Sequence, residues 1–306
     1  PDPDQSKPIA FGQTPAEHPL LAATTTLAGS GQELLSGRLS LRTHPWLADH
    51  VVHGVVILPG TAFLELALRA AREVGLDRVE ELTVSAPLPL PAQGGIALQV
   101  SVGPVDEQGV REIEIHSRSE AVAEAEGAWT LNASGSLGPA AGTGRPESLG
   151  HWPPDGAEAL EVADFYEQAA QRGVEYGPAF QGVRAVWRRG EELFVEVEPV
   201  ELVEPERYAI HPGLLDAAIQ PGALAASDKH PRVPFSWRGV ESHGVGAATL
   251  RARLRPGQGG TLSLDLADGT GAPTLAIESL ALRALDPAQV RGSATMPESL
   301  FTLRWV

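Results

Sequence analysis

Ile57-Leu58-Pro59-Gly60-Thr61-Ala62-Phe63-Leu64-Glu65-Leu66-Ala67-Leu68-Arg69-Ala70-Ala71 is the stretch on which the fold turns. From Thr61 to Val74 the apolar residues Phe63, Leu64, Leu66, Ala67, Ala70, Ala71 and Val74 recur at helical spacing. The face they make is broader than the stripe of a surface helix. A helix over 61–74, with Thr61 as its cap, is therefore expected to be wrapped by sheet. About half a chain later the opening recurs as Ile210-His211-Pro212-Gly213, ahead of a second long apolar helix over 214–226. Pro221 is expected to kink or interrupt that helix. The echo reads as a duplicated module, each copy a curved antiparallel sheet around one helix.

Most of the remaining chain reads as strand. Alternating or β-branched runs cover 35–43, 96–103, 111–119, 129–137, 183–187, 193–200, 249–254, 262–266 and 274–282. Asp268-Gly269 signals a hairpin turn between the last two. A short helix is expected over 164–172, ended by Gly173. The Gly- and Pro-rich stretch 138–154 reads as a linker. The resulting division is a first module over 1–140, a linker over 141–155, a second module over 156–290 and a following segment over 291–306. The N-terminus lacks both Met and a signal pattern, so the chain reads as an excised or processed fragment.

Composition narrows the class. The 306 residues carry a formal charge of −16, with no Lys/Arg cluster to override it, which disfavours nucleic acid as a partner. No run is long and apolar enough for a membrane span. With no cysteine, disulfides, thiolate metal sites and a Cys nucleophile are excluded.

Three segments hold residues able to do chemistry. His44, His50 and His53, with Asp49, fall within one short stretch. They are open to three readings: surface groups, packed core groups or a metal site, though in a strand His50 and His53 point to opposite faces. Asp216 and Gln220 lie four apart, on one face of the later helix. Asp216 is either a solvated residue or a carboxyl in an apolar pocket, where desolvation would raise its pKa and suit it to giving a proton. Tyr176 precedes the tight turn Gly177-Pro178, either as packing or as a hydrogen-bond donor to a substrate oxygen. No nucleophile elbow or phosphate loop occurs. Gly244-Val245-Gly246 lacks a third glycine and a βαβ setting, and the Asn132-Ala133-Ser134 sequon is discounted without a signal peptide.

Together these segments resemble the dehydratase domains of modular type I polyketide synthases. His50-x-x-x-Gly54-x-x-x-x-Pro59, Tyr176-Gly177-Pro178 and Asp216-x-x-x-Gln220 stand where that family carries its HxxxGxxxxP, YGP and DxxxQ/H motifs, in the same order. Further likeness runs from His18-Pro19-Leu20-Leu21 through Val233-Pro234-Phe235-Ser236-Trp237 to Ser279-Leu280-Ala281-Leu282-Arg283, covering roughly 16–285. Val174 departs from the pattern, where a bulkier apolar residue is common.

The resemblance implies an α+β double-hotdog fold: two fused hotdog modules, each an antiparallel sheet around a long helix. It implies an active site between them, with His50 as general base and Asp216 as general acid or as the group that orients the substrate hydroxyl. Tyr176, Gln220, Gly54, Pro59, Gly177 and Pro178 take supporting places. The implied reaction is dehydration of a β-hydroxyacyl thioester to an enoyl thioester, without cofactor or metal. The substrate rides on the phosphopantetheine arm of an acyl carrier protein of the same module. Flanking synthase domains, a homodimer and a cytoplasmic location are also implied. Backbone N–H groups near Gly54 or the start of the 61–74 helix are candidates to polarise the thioester carbonyl. Arg184, Arg188 and Arg189 are a candidate carrier-docking patch. Alternatives on the same fold are a double-bond isomerase, a pyran-forming cyclase and a non-catalytic structural module.

Overall fold

The computed structural model describes residues 8–120, 128–140, 148–199, 204–225, 231–285, 287, 288 and 290. The proposed segment 291–306 and the linker positions 141–147 lie outside the described residues.

Among the described residues, the first part of the chain forms β1 (Thr14–His18), β2 (Leu21–Thr26), β3 (Glu33–Leu39), β4 (His50–Val52), β5 (Val55–Val56), α1 (Gly60–Glu73), β6 (Arg78–Val84), β7 (Ile96–Val102), β8 (Arg111–Ser119) and β9 (Thr130–Gly138). The second part forms β10 (Glu158–Leu160), α2 (Phe165–Gln171), β11 (Val174–Tyr176), β12 (Val183–Arg189), β13 (Glu192–Val197), α3 (Pro212–Ala225), β14 (Arg232–Ser242), β15 (Leu250–Pro256), β16 (Leu262–Asp268) and β17 (Pro273–Ala284). One antiparallel sheet runs in the order β1-β2-β3-β7-β8-β9-β6-β14-β17-β16-β15-β13-β12-β10. Period-two burial drives it: in β7, Ile96, Leu98, Val100 and Val102 are buried while Ala97, Gln99 and Ser101 are less so.

The sheet wraps two helices, as the echo predicts. In α1 Phe63, Leu64, Leu66, Ala67, Leu68, Ala70 and Ala71 are all buried, and in α3 Leu214, Leu215, Ala217, Ala218 and Ile219 are too. These residues share one apolar core that spans both halves. Two local expectations fail at the helices. Thr61 does not cap α1: Pro59 holds the cap position, and the Thr61 hydroxyl is buried with no partner. Pro221 does not interrupt α3, which is continuous from Pro212 to Ala225. Its last turn is held by packing, with Gly222 pressed against Leu254 and Leu262.

β6 and β14, which alternation did not reveal, join the two halves. Thr83 pairs with Ser236, Leu82 with Trp237 and Arg78 with Glu241. The Arg78 guanidinium donates to Glu80 at 3.0 Å, Glu241 at 2.6 Å and Glu278 at 2.7 Å, tying β6 to β14 and β17. The expected linker is no free tether over its described part. Leu149 N–H donates to Gly271 O at 3.1 Å, and Trp152 Nε1–H donates to Glu196 at 3.0 Å. The Asp268 hairpin exists, but with a wider loop than Asp-Gly alone requires. Asp268 Oδ1 accepts the N–H groups of Thr270 and Ala272 at 2.8 and 3.1 Å, and Gly271 takes the left-handed conformation, φ 90°.

Candidate active site

A second, smaller sheet of order β11-β4-β5 crosses from one half to the other. Its register sets Val174 opposite Val52, Glu175 opposite Val51 and Tyr176 opposite His50. The β4–β5 turn consists of His53 (φ 51°) and Gly54 (φ 79°). Two successive left-handed residues are what a tight two-residue hairpin requires, and glycine adopts that conformation at little cost. Gly54 is exposed, so its motif place reflects the turn rather than a contact with substrate.

The hairpin folds Ile57 back onto His50. Ile57 N–H donates to His50 O at 3.2 Å, and His50 Nδ1 lies 3.0 Å from Ile57 O. A carbonyl only accepts, so Nδ1 carries the hydrogen and the neutral ring keeps its lone pair on Nε2. The other two clustered histidines have carbonyl partners of their own, His44 on Pro19 O at 2.9 Å and His53 on Leu285 O at 3.2 Å. They do not converge with His50. Among the described residues no three His, Asp or Glu side chains gather as a metal site.

His50 lines a cavity of about 310 Å³ together with Leu58, Gly60, Phe63, Phe235 and Arg283. That lies at the lower end of small-molecule sites. Pro59 turns the chain from the hairpin into α1, whose amino end reaches the wall at Gly60. The helix opening therefore remains a candidate for holding a carbonyl oxygen, whereas the Gly54 turn does not. Gly60 is closely fitted: a Cβ there would lie 2.8 Å from both Cβ and O of Pro234. Arg283 is exposed, with its guanidinium 5.0 Å from the centre of the Phe235 ring.

From the second half, Tyr176 brings its ring centre to 6.0 Å from that of His50, and Phe180 to 5.2 Å. Burial of the Tyr176 phenol, then the nearby Asp216 and Tyr166, push its pKa far above the ordinary value, so it stays a hydrogen-bond donor. Gln181 Nε2–H donates to Tyr176 O at 2.7 Å and steadies the turn. Pro178 begins the helical turn Pro178–Phe180.

Asp216, on α3, is buried and only 4% exposed. Desolvation raises its pKa, against a smaller lowering by the nearby His50 and by the Gln220 hydrogen bond. The apolar-pocket reading of Asp216 is the one that holds. Gln220 Nε2 donates both to Asp216 Oδ2 at 3.2 Å and to Phe180 O at 3.1 Å. The Asp216 carboxyl is not, however, part of the cavity wall as it stands.

Sequence reading missed the partners that hold these groups. Asp49, weighed only as a metal ligand, accepts the Ala179 N–H on Oδ2 at 2.9 Å and the Gly177 N–H on its carbonyl at 2.8 Å. Glu65 is fully buried on α1 and accepts the N–H groups of Ala209 and Ile210 at 2.8 and 2.9 Å, just ahead of α3. Such long-range acceptors leave no periodic mark in a sequence. The candidate patch of Arg184, Arg188 and Arg189 is also altered. Arg184 is paired with Glu198 at 2.7 Å and Arg189 with Glu192 at 3.2 Å, so much of its charge is balanced.

Two sheet-wrapped helices with a site at their junction define a double-hotdog enzyme, and known proteins agree. The polyketide synthase dehydratase domain model matches residues 18–118, and the polyketide synthase dehydratase N-terminal domain model matches residues 144–292. The spectinabilin polyketide synthase system protein NorA' of Streptomyces orinoci is 47% identical over 98% of this chain, which spans 8% of that relative. A structure from work on dehydratase substrate selection in the borrelidin and fluvirucin polyketide synthases has a TM-score of 0.85 at 42% identity, covering 90% of this chain and 99% of its own. The bifunctional dehydratase-cyclase domain of ambruticin biosynthesis has a TM-score of 0.81 at 41% identity, covering 89% and 100%. The chain belongs to the polyketide synthase dehydratase domains, a family of hydro-lyases.

Proposed function

We propose that this domain dehydrates a β-hydroxyacyl thioester presented on the phosphopantetheine arm of an acyl carrier protein, with His50 as base and Asp216 as acid. The observation that carries the reading is the Nδ1–H bond from His50 to Ile57 O, which leaves Nε2 as a lone-pair base on a residue of the cavity wall. Nε2 takes the proton α to the thioester carbonyl. The electron pair forms the α,β double bond as the β C–O bond breaks. Asp216, whose hold on its proton is strengthened by burial, gives that proton to the departing hydroxyl, which leaves as water. Tyr176 donates to a substrate oxygen, and Gln220 holds the Asp216 carboxyl in place. Entry of the acyl chain brings its hydroxyl to Asp216, since contacts of this kind commonly tighten only when substrate is bound.

The chemistry calls for no cofactor or metal. Arg283 beside the cavity suits the phosphodiester of the arm, whereas the net charge of −16 offers an acidic carrier no general attraction. Tethering within a longer synthase then supplies effective concentration. Flanking synthase domains, a homodimer and a cytoplasmic location complete the reading. Incubation with β-hydroxyacyl pantetheine thioesters, followed by mass spectrometry, tests it: loss of one water with an enoyl product is expected, and no turnover of any such thioester contradicts it. The likeness to the ambruticin dehydratase-cyclase favours a second reading, ring closure onto the enoyl group, which a substrate with a ζ-hydroxyl (on C7, four carbons beyond the β carbon) would reveal as a tetrahydropyran.

A further inference from the structure

We infer that Asp49 is a positioning residue that sets the spacing of His50 relative to Asp216. The inference rests on the reading of that pair given above. Asp49 directly precedes His50 and closes the short β4–β11 ladder where Tyr176 faces His50. Beyond that last pair the hydrogen bonding continues through Asp49. Its carbonyl accepts the Gly177 N–H at 2.8 Å, and its side chain reaches two residues further to the Ala179 N–H at 2.9 Å. The next residue, Phe180, takes the Gln220 amide on its carbonyl at 3.1 Å, and the same amide nitrogen holds Asp216 Oδ2 at 3.2 Å. A hydrogen-bonded path therefore runs from the backbone beside His50, through Asp49, Ala179-Phe180 and Gln220, to Asp216. No step in it needs a proton on Asp216 or a charge on His50.

The same contact explains the glycine at 177. A Cβ built there falls on the Asp49 carboxyl group, so the position is kept bare by this side chain. Asp49 touches no reacting atom. What it supplies is geometry, and displacement of a catalytic group by about 1 Å costs on the order of 10²-fold in rate. An asparagine at this position keeps an acceptor oxygen for Ala179, whereas alanine removes it.

Asp49→Ala and Asp49→Asn, compared with wild type on a β-hydroxyacyl pantetheine thioester, test the inference, with circular dichroism and melting temperature recorded for each. Asp49→Ala is expected to lower kcat on the order of 10²-fold with KM changed less than about threefold, and Asp49→Asn to recover most of that loss. Wild-type kcat in folded Asp49→Ala would overturn the inference. So would folded Asp49→Asn as slow as the alanine variant, which would assign the carboxylate a charge or proton role. If Asp49→Ala does not fold, Asp49→Asn decides: folded and active supports the inference, and anything else overturns it. If wild type itself makes no enoyl product, the reading of the His50–Asp216 pair fails instead.

Discussion

Tyr176 lies directly opposite His50 in the antiparallel pairing of β11 with β4, the two ring centres 6.0 Å apart. One residue comes from each half of the chain, so the candidate site lies where the halves meet. Burial also shifts the pKa values of two groups, Asp216 and His211, and so ties stability to pH.

Asp216 is the first such group. Its folded-state pKa is raised above 3.8 by desolvation, so the folded chain holds this proton more tightly than the unfolded chain. The stability it contributes is full at pH below 3.8 and is lost as pH rises through the folded-state value. Asp216→Asn never ionises. It is expected to be more stable than wild type at pH 7, by roughly 0.5–2 kcal/mol, while dehydrating about 10²–10⁴-fold more slowly. Urea unfolding beside turnover measures both. In wild type the rate is expected to fall as rising pH removes the Asp216 proton, and the variant is expected to lack that limb. A less stable variant with native turnover would remove Asp216 from the acid role.

His211 gives the opposite sign. It is buried against Trp46 and Tyr208, with ring centres 4.8 and 4.7 Å away, and its Nδ1 accepts the Gly213 N–H at 3.1 Å. Nε2 therefore carries the hydrogen, and it has no partner. Burial lowers the pKa from 6.5 to about 4. The unfolded chain binds more protons between those values, so stability is lost as pH falls from 6.5 toward 4. The loss attributable to this residue is roughly 3 kcal/mol. His211→Phe is expected to flatten that part of the curve in unfolding experiments at stepped pH, and an unchanged slope would contradict the assignment.

Arg78 holds the seam between the halves. Its side chain is 8% exposed and meets three carboxylates. Arg78→Met leaves Glu241 and its neighbours without that charge, and breaking a buried pair from one side costs about 3–5 kcal/mol. Chemical denaturation is expected to show a loss of this size, little altered by salt. A loss under about 1 kcal/mol would show that the backbone ladder carries the seam alone.

Gly60 lies where α1 meets β14 at the cavity wall. Gly60→Ala drives a methyl group into Pro234, and overpacking of this kind costs about 1–3 kcal/mol. Melting temperature should fall, and KM for the thioester should rise more than kcat falls, because the wall moves and the base does not. Native KM and melting temperature would show that the wall yields freely.

What the sequence made legible follows from what leaves a periodic trace. The broad apolar face of α1 and its echo at Ile210 were readable, and they predict two wrapped helices. The motif order assigns His50, Tyr176 and Asp216 to one site, and the fold brings Tyr176 beside His50 and buries Asp216 on α3. β6 was not readable, because Arg78, Glu80 and Glu81 interrupt its alternation, nor was β14, where Pro234 and Gly239 do the same. Those two strands make the join. Asp49 and Glu65 act on backbone N–H groups far along the chain, contacts that only the folded topology creates. Thr61 looked like a cap because its type favours that place, but the chain direction set by Pro59 prevails.

The most direct test of the account is the conversion of a β-hydroxyacyl pantetheine thioester by His50→Ala, followed by mass spectrometry beside wild type. The account predicts a folded variant that forms no detectable enoyl product while wild type loses one water from the substrate. Enoyl formation by folded His50→Ala at a near-native rate would contradict it.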